Sequence, residues 1–373
     1  MRYSIISLLS FAALTFSAPT PQKRAVQAFP LADGFPNPSP EQLRGIQRQA
    51  FGTLSNNAPP AKISDEGVIN LKLVAFNELF EVAFFSELFK NVTEKVPGFE
   101  LGDEYEYISG ALSAILAVSP HPSQLNYHLT NGPLQQEKLH QINANNGVKR
   151  AGQPPIEACK YVFPVSNFRE AIDLAATFTD VVLGVLQDVN QIFAKNGDDG
   201  LVRGTSSSLG QEGEQEGFYH VLQNKRPSTL PFLTTNVRDF AFTAIQSFVV
   251  PGSCPNINTI PLKTFKPLRV LSRPIKPATQ NLNFSFFKRD TEVTDYSQFS
   301  MVYINQQNKP IVKPLENIKV NGDVVEFTSP FPYDEFEMNG LTIAAVTKGA
   351  KEFANAKAVA DAAVFGPGFV DLS

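Results

Sequence analysis

The 373 residues contain no tryptophan, and only four histidines, three methionines and two cysteines. Without tryptophan there is no Trp-lined sugar platform or aromatic cage. Four histidines exclude a His-rich metal protein and make each one worth placing. The two cysteines, Cys159 and Cys254, form no CxxC or Cys/His cluster, which counts against structural zinc. In an oxidising compartment the pair reads as one disulfide. Charged residues make up 18%, below the roughly one quarter usual in soluble chains. A formal charge of −4 leaves no basic face for nucleic acid. Nor is there a GxSxG elbow, a GxxxxGKS/T loop or an HExxH motif.

What is present is apolar bulk. Hydrophobic residues reach 43%, which excludes wholesale disorder, and 31 phenylalanines supply area without a hydrogen-bonding handle. The length predicts two domains. Residues 1–24 read as secretory processing: Arg2, an apolar run from Ile5 to Phe16, small residues Ser17 and Ala18, then the dibasic Lys23-Arg24. The run is too short to span a bilayer, so no transmembrane segment is expected. Cleavage would make a secreted chain, extracellular or in the cell wall, more acidic than the precursor. Asn91-Val-Thr93 and Asn283-Phe-Ser285 are N-glycosylation sequons that suit this route.

Residues 25–62 are rich in Pro and Gln and read as an irregular arm. Ser64, Asp65 and Glu66 open a helix running to about Val92, with a side-chain cap and acids at the positive end of its dipole. It is apolar nearly all round, through Leu71, Phe76, Phe80, Phe84, Phe85 and Phe89, yet carries Glu78 and Glu81. A second helix covers Asp103 to Ala117 and resumes at Gln136. A third runs from a capping box of Asn167 and Glu170 to about Ala194. A fourth covers Leu201 to Leu222, weakened by Gly204, Gly210, Gly213 and Gly217. A short helical run spans Val237 to Phe248. After Cys254 the pattern alternates over 282–286, 299–304, 324–327 and 341–346, with turn signals at Asn321-Gly322 and Asn339-Gly340. The plan is a helical bundle over 63–254 and a smaller β-rich, sandwich-like domain over 255–373.

Glu137-Lys-Leu-His140 is an ExxH, which sets a carboxylate and an imidazole on one helix face. Di-metal bundles use this device together with buried glutamates on the other helices. Glu78 and Glu81, inside an apolar helix, need compensation of that kind.

Five segments together resemble one family: Phe76–Phe85, Gln136–Asn145, Cys159–Pro164, Gly210–Tyr219 and Pro251–Pro255. The chain is similar to the fungal secreted ferritin-like proteins, which include late sexual development and stress-response proteins. The resemblance covers roughly residues 40–373. It implies an α+β chain, a ferritin-like four-helix bundle followed by the β-rich domain, and a disulfide tying the end of the bundle to the segment before its third helix. It also implies iron or manganese at Glu78, Glu81, Glu137, His140, Glu212 and Gln215. Two positions depart from the pattern. Thr179, beside Asp180, stands where the third helix should present Glu. Glu212-Gly-Glu-Gln215 is ExxQ instead of ExxH, and Gln is a poor substitute for imidazole. His220, four residues after Glu216, is a substitute in another register. One ion, a degraded pair or none are all open. The resemblance implies a non-catalytic protein of fungal sexual development or stress response. The alternatives are an iron- or manganese-binding oxidoreductase or iron-binding protein, and a cell-wall or matrix binding protein.

In the family pattern the helix ending near Ala117 passes directly into Gln136. Here residues 118–135 intervene, with Pro120, Pro122 and Gly132-Pro133. Val118-Ser119 can be encoded by a splice donor, Leu129-Thr130 by a branch point and Gln135 by an acceptor. We read the segment as a retained intron, with a surface loop as the alternative; transcripts spanning the site decide between them. His121 and His128 carry no role in either case.

Overall fold

The computed structural model describes residues 29–57, 60, 62–102, 105, 108–109, 135–228, 230–349 and 351–373. The secretory segment, most of the helix expected over 103–117, His121, His128 and the intervening segment up to residue 134 lie outside the described residues.

Among the described residues six named helices come first, and side-chain caps explain where three of them start. In the arm expected to be irregular, α1 spans Pro40–Gln49. Ser39 and Gln42 satisfy each other's backbone N–H groups in a reciprocal capping box, and Pro40 presets the first turn. This local chemistry overrides the Pro-rich composition, and Ile46 then packs beside Leu139. Helix α2 covers Asp65–Thr93, with Ser64 Oγ accepting from the Gly67 N–H. α3 covers Gln135–Arg150, α4 Phe168–Lys195, α5 Asp199–Leu222 and α6 Arg238–Gln246. Asn167 caps α4 by accepting from the Glu170 N–H, but the box is not reciprocal: Glu170 accepts from Ser166 N and Oγ instead. Gln135, at the edge of the intervening segment, is the fully buried first residue of α3 and donates to Asp33.

α2 packs on α3, α4 on α5, and α2 against α4 joins the two pairs. The phenylalanines do the joining. Phe80, Phe84 and Phe85 of α2 all meet Phe178 of α4 edge-on at 5.0–5.7 Å, and Phe163 stands edge-on to Phe80 and Phe84. Cys159 and Cys254 are disulfide-bonded. The bond lies beside a short pairing in which Val162 N donates to Phe248 O and Val250 N to Lys160 O, so the segment before α4 is tied to the segment after α6.

The β-rich region follows as two four-stranded antiparallel sheets. Their strands are β1 (Arg269–Val270), β2 (Gln280–Phe287), β3 (Phe299–Asn305), β4 (Ile311–Pro314), β5 (Glu316–Asn321), β6 (Val324–Phe331), β7 (Gly340–Lys348) and β8 (Ala363–Leu372). One sheet runs β1-β2-β6-β5 and the other β4-β3-β7-β8. Along β7 the residues are buried on both faces. Leu341, Ile343 and Ala345 share a core with the helices, while Ala344 and Val346 pack toward the other sheet. The second sheet is therefore a middle layer, which is why its strands read as near-continuous apolar runs. Among the described residues no helix is long and apolar enough to cross a membrane.

Candidate metal centre

Helix α2 is apolar on every side, so its acids cannot reach water: Glu78 is 2% exposed and Glu81 1%. On α3 the i, i+3 spacing places His140 Nδ1 3.0 Å from Glu137 Oε2. The same nitrogen lies 3.7 Å from Glu78 Oε2 and 3.9 Å from Glu212 Oε1, which reaches in from α5. One ligand atom from each of Glu78, Glu137, His140 and Glu212 lies within 4.8 Å of the others.

This group could hold a metal ion. Ligand atoms about 2.1 Å from a shared ion stand about 3.0 Å apart at right angles and about 4.2 Å apart when opposite, an interval that contains all three His140 separations. Neither oxygen of Glu212 and not Glu78 Oε2 has a hydrogen-bond partner, although all are buried. Three carboxylates around one imidazole carry more negative charge than the protein compensates, which is the condition a cation relieves.

The acidities show the same imbalance. Burial lifts the Glu78 carboxyl from 4.5 to about 7, against the pull of His140. Burial, then repulsion from Glu137 and Glu78, pushes Glu212 well above the usual carboxylate range. Burial alone would lower His140, but its contacts with Glu137 and Glu78 prevail and raise it well above 6.5. Burial acts upward on Glu137 too; there the hydrogen bonds and charge of His140 and the Gln215 amide outweigh it and lower the carboxyl. Glu137 is thus the fixed anion of the group.

Gln215 is not among the converging ligands. Its Nε2 donates to Glu137 Oε1 at 2.5 Å, and its Oε1 accepts from the Tyr219 hydroxyl at 3.4 Å. The residue in the place of an imidazole ligand orients a ligand instead. Glu81, one turn along α2, is buried with neither oxygen hydrogen-bonded; burial and the charges of Glu212, Glu78 and Glu137 push its carboxyl well up. Thr179 is buried on α4 and supplies no carboxylate. Of the acidic run on α5, Glu214 is exposed while Glu212 and Glu216 are fully buried. Tyr219 escaped the sequence reading, though its spacing of four from Gln215 and seven from Glu212 sets all three on one face of α5. Also missed was the Asp33 ion pair with buried Lys138, which holds the N-terminal arm against α3 next to Glu137. Of the sequon asparagines, Asn283 is exposed on β2 and Asn91 is half-buried near the end of α2.

No protein-family model matches the chain, and no curated protein matches it.

Proposed function

We propose that this is a secreted metal-binding protein whose four long helices form a ferritin-like bundle around one iron or manganese ion. The observation that carries this reading is the convergence of Glu78, Glu137, His140 and Glu212 from three helices, with buried oxygens that have no protein partner. Hard carboxylate oxygens with one imidazole suit manganese or iron better than thiolate-seeking metals. Glu137 and His140 would hold the ion from one face of α3, Glu78 and Glu212 would complete the set from α2 and α5, and Gln215 keeps the Glu137 carboxylate in place. When bound, iron or manganese would supply one-electron redox chemistry. A second ion in the usual paired arrangement lacks both the α4 carboxylate and the α5 imidazole. The site we propose is therefore a degenerate, single-ion one. The disulfide suits an oxidising compartment. The resemblance of the motifs to fungal ferritin-like proteins supports a role in sexual development or stress response.

The test is metal analysis of protein secreted from a fungal host, after anaerobic reconstitution with Fe2+ or Mn2+. About one ion per chain is expected, falling in Glu137→Gln; less than about 0.1 per chain in the unmutated protein overturns the reading.

A further inference from the structure

One turn beyond Glu212, α5 carries a second set of polar groups that the four-ligand centre does not use. Glu216 is fully buried and His220 is 3% exposed. His220 Nε2 stands 2.8 Å from Glu216 Oε1, yet off the alignment of a hydrogen bond. Neither oxygen of Glu216 and neither ring nitrogen of His220 makes a hydrogen bond of normal geometry. On α4, which packs against α5, the Asp180 carboxyl feels the charges of both Glu216 and His220.

Lys225, whose backbone N–H donates to the His220 carbonyl, lies 3.5 Å from Asp371 at the end of β8. Burial and Lys225 hold His220 below the usual imidazole value, so its ring is neutral near pH 7. Burial raises the Asp180 and Glu216 carboxyls well above their usual range, so without a cation these acids keep protons that a bound divalent ion would displace. The spacing on the helix is that of a metal clip, since residues i and i+4 point the same way. Two ligand atoms about 2.1 Å from one ion stand about 3.0 Å apart at right angles and about 3.4 Å apart in a tetrahedral set, so a bound ion would widen the observed 2.8 Å gap by a few tenths of an ångström.

We propose that Glu216 and His220 form a second divalent-cation site, with Asp180 supplying the remaining charge compensation. It shares no ligand with Glu78, Glu137, His140 and Glu212, and it stands or falls independently of the reading of that centre. A carboxylate and an imidazole on one helix suit Zn2+.

The probe is Zn2+ alone, measured by equilibrium dialysis against the full secreted chain near neutral pH. His220→Gln and Glu216→Gln should each remove one bound equivalent, weakening it by at least roughly tenfold, while the equivalent lost in Glu137→Gln is retained. Variants that both bind as much Zn2+ as the unmutated chain overturn the proposal. Should neither variant be secreted, nitrogen NMR of histidine-labelled unmutated protein decides. The ring resonances of His220 must move on Zn2+ addition, and resonances that stay in place overturn the proposal.

Discussion

Removing the metal should make this protein less stable as the pH rises from about 5 to about 7, and one residue, Glu78, should account for much of the effect. Its carboxyl titrates at about 7 in the folded chain against 4.5 ordinarily. Between those values the folded state keeps a proton that the unfolded chain has released. Stability falls with rising pH wherever the native state binds more protons. At about 1.4 kcal/mol per pKa unit, Glu78 alone is linked to roughly 3 kcal/mol. Glu81 and Glu212 act in the same direction. So do Glu216 and Asp180 elsewhere on α5 and α4, both raised by burial. His140, raised well above 6.5, adds to the loss at the upper end of the window. Glu137, lowered below 4.5, works the other way only in more acid solution. Because the acids repel one another, their joint effect is less than their sum.

The assay is urea unfolding in EDTA near both pH values. Glu78→Gln keeps the shape but has nothing to ionise. It should flatten the pH slope by about one proton and leave the metal-free variant more stable than the parent near pH 7, by up to about 3 kcal/mol. With saturating Mn2+ the parent's slope should reverse, because the ion binds the deprotonated ligands. Metal-free stability that climbs from pH 5 to 7, or a slope unchanged in Glu78→Gln, would refute the reasoning.

Two further outcomes follow from single contacts. Gln215→Leu removes the amide that fixes Glu137 and should weaken Mn2+ binding by roughly 10–100-fold, as loss of an orienting partner does; unchanged affinity in a titration would leave Gln215 a packing residue only. Replacing Cys159 and Cys254 by Ser opens a loop whose ends are 95 residues apart and should cost roughly 4–5 kcal/mol on the chain-entropy account, read from urea midpoints; a loss under about 1 kcal/mol would argue that the unfolded chain is held compact by other means.

Helices α2 and α4 were legible because each combines a cap with sustained apolar spacing: Ser64 before α2 and Asn167 before α4 mark starts that the structure places within a residue or two. The strands that alternate or run apolar, β2, β3, β6 and β7, were legible for the same reason. The short strands β1 and β4, edge strand β5 and β8 were not. β8 contains Gly366-Pro367-Gly368, which reads as a breaker, and only its place at a sheet edge beside β7 makes the proline tolerable. Within the centre, Glu137 and His140 were marked by their own spacing. The choice between Glu78 and Glu81 was not readable, because a helix apolar all round has no polar face from which to set its phase. Glu216 was lost in an acidic run whose neighbouring glycines hide the helical period; only packing separates buried Glu212 and Glu216 from exposed Glu214.

Helix α5 itself now looks dependent on its ligands. Its fully buried residues are Glu212, Gln215, Glu216, Tyr219 and His220, with no aliphatic side chain among them. Five glycines lie in it, and Gly204, Gly210, Gly213 and Gly217, inside the helix, each cost about 1 kcal/mol relative to alanine. Of these four, only Gly217 is asked for by the fold, since a Cβ there would meet the Pro227 carbonyl oxygen at 3.0 Å. Half-buried Phe218 and Leu222 give it some hold on the main core, but α2, with its phenylalanines, has far more. A helix whose buried face is charged gains its docking energy from whatever compensates that charge. In EDTA the α5 amides should therefore exchange with deuterium well before those of α2 and α4, and Mn2+ should slow α5 selectively. If α5 exchanges as slowly as α2 without metal, or is indifferent to it, the buried acids are satisfied by protons alone and the helix is a structural element independent of any ion.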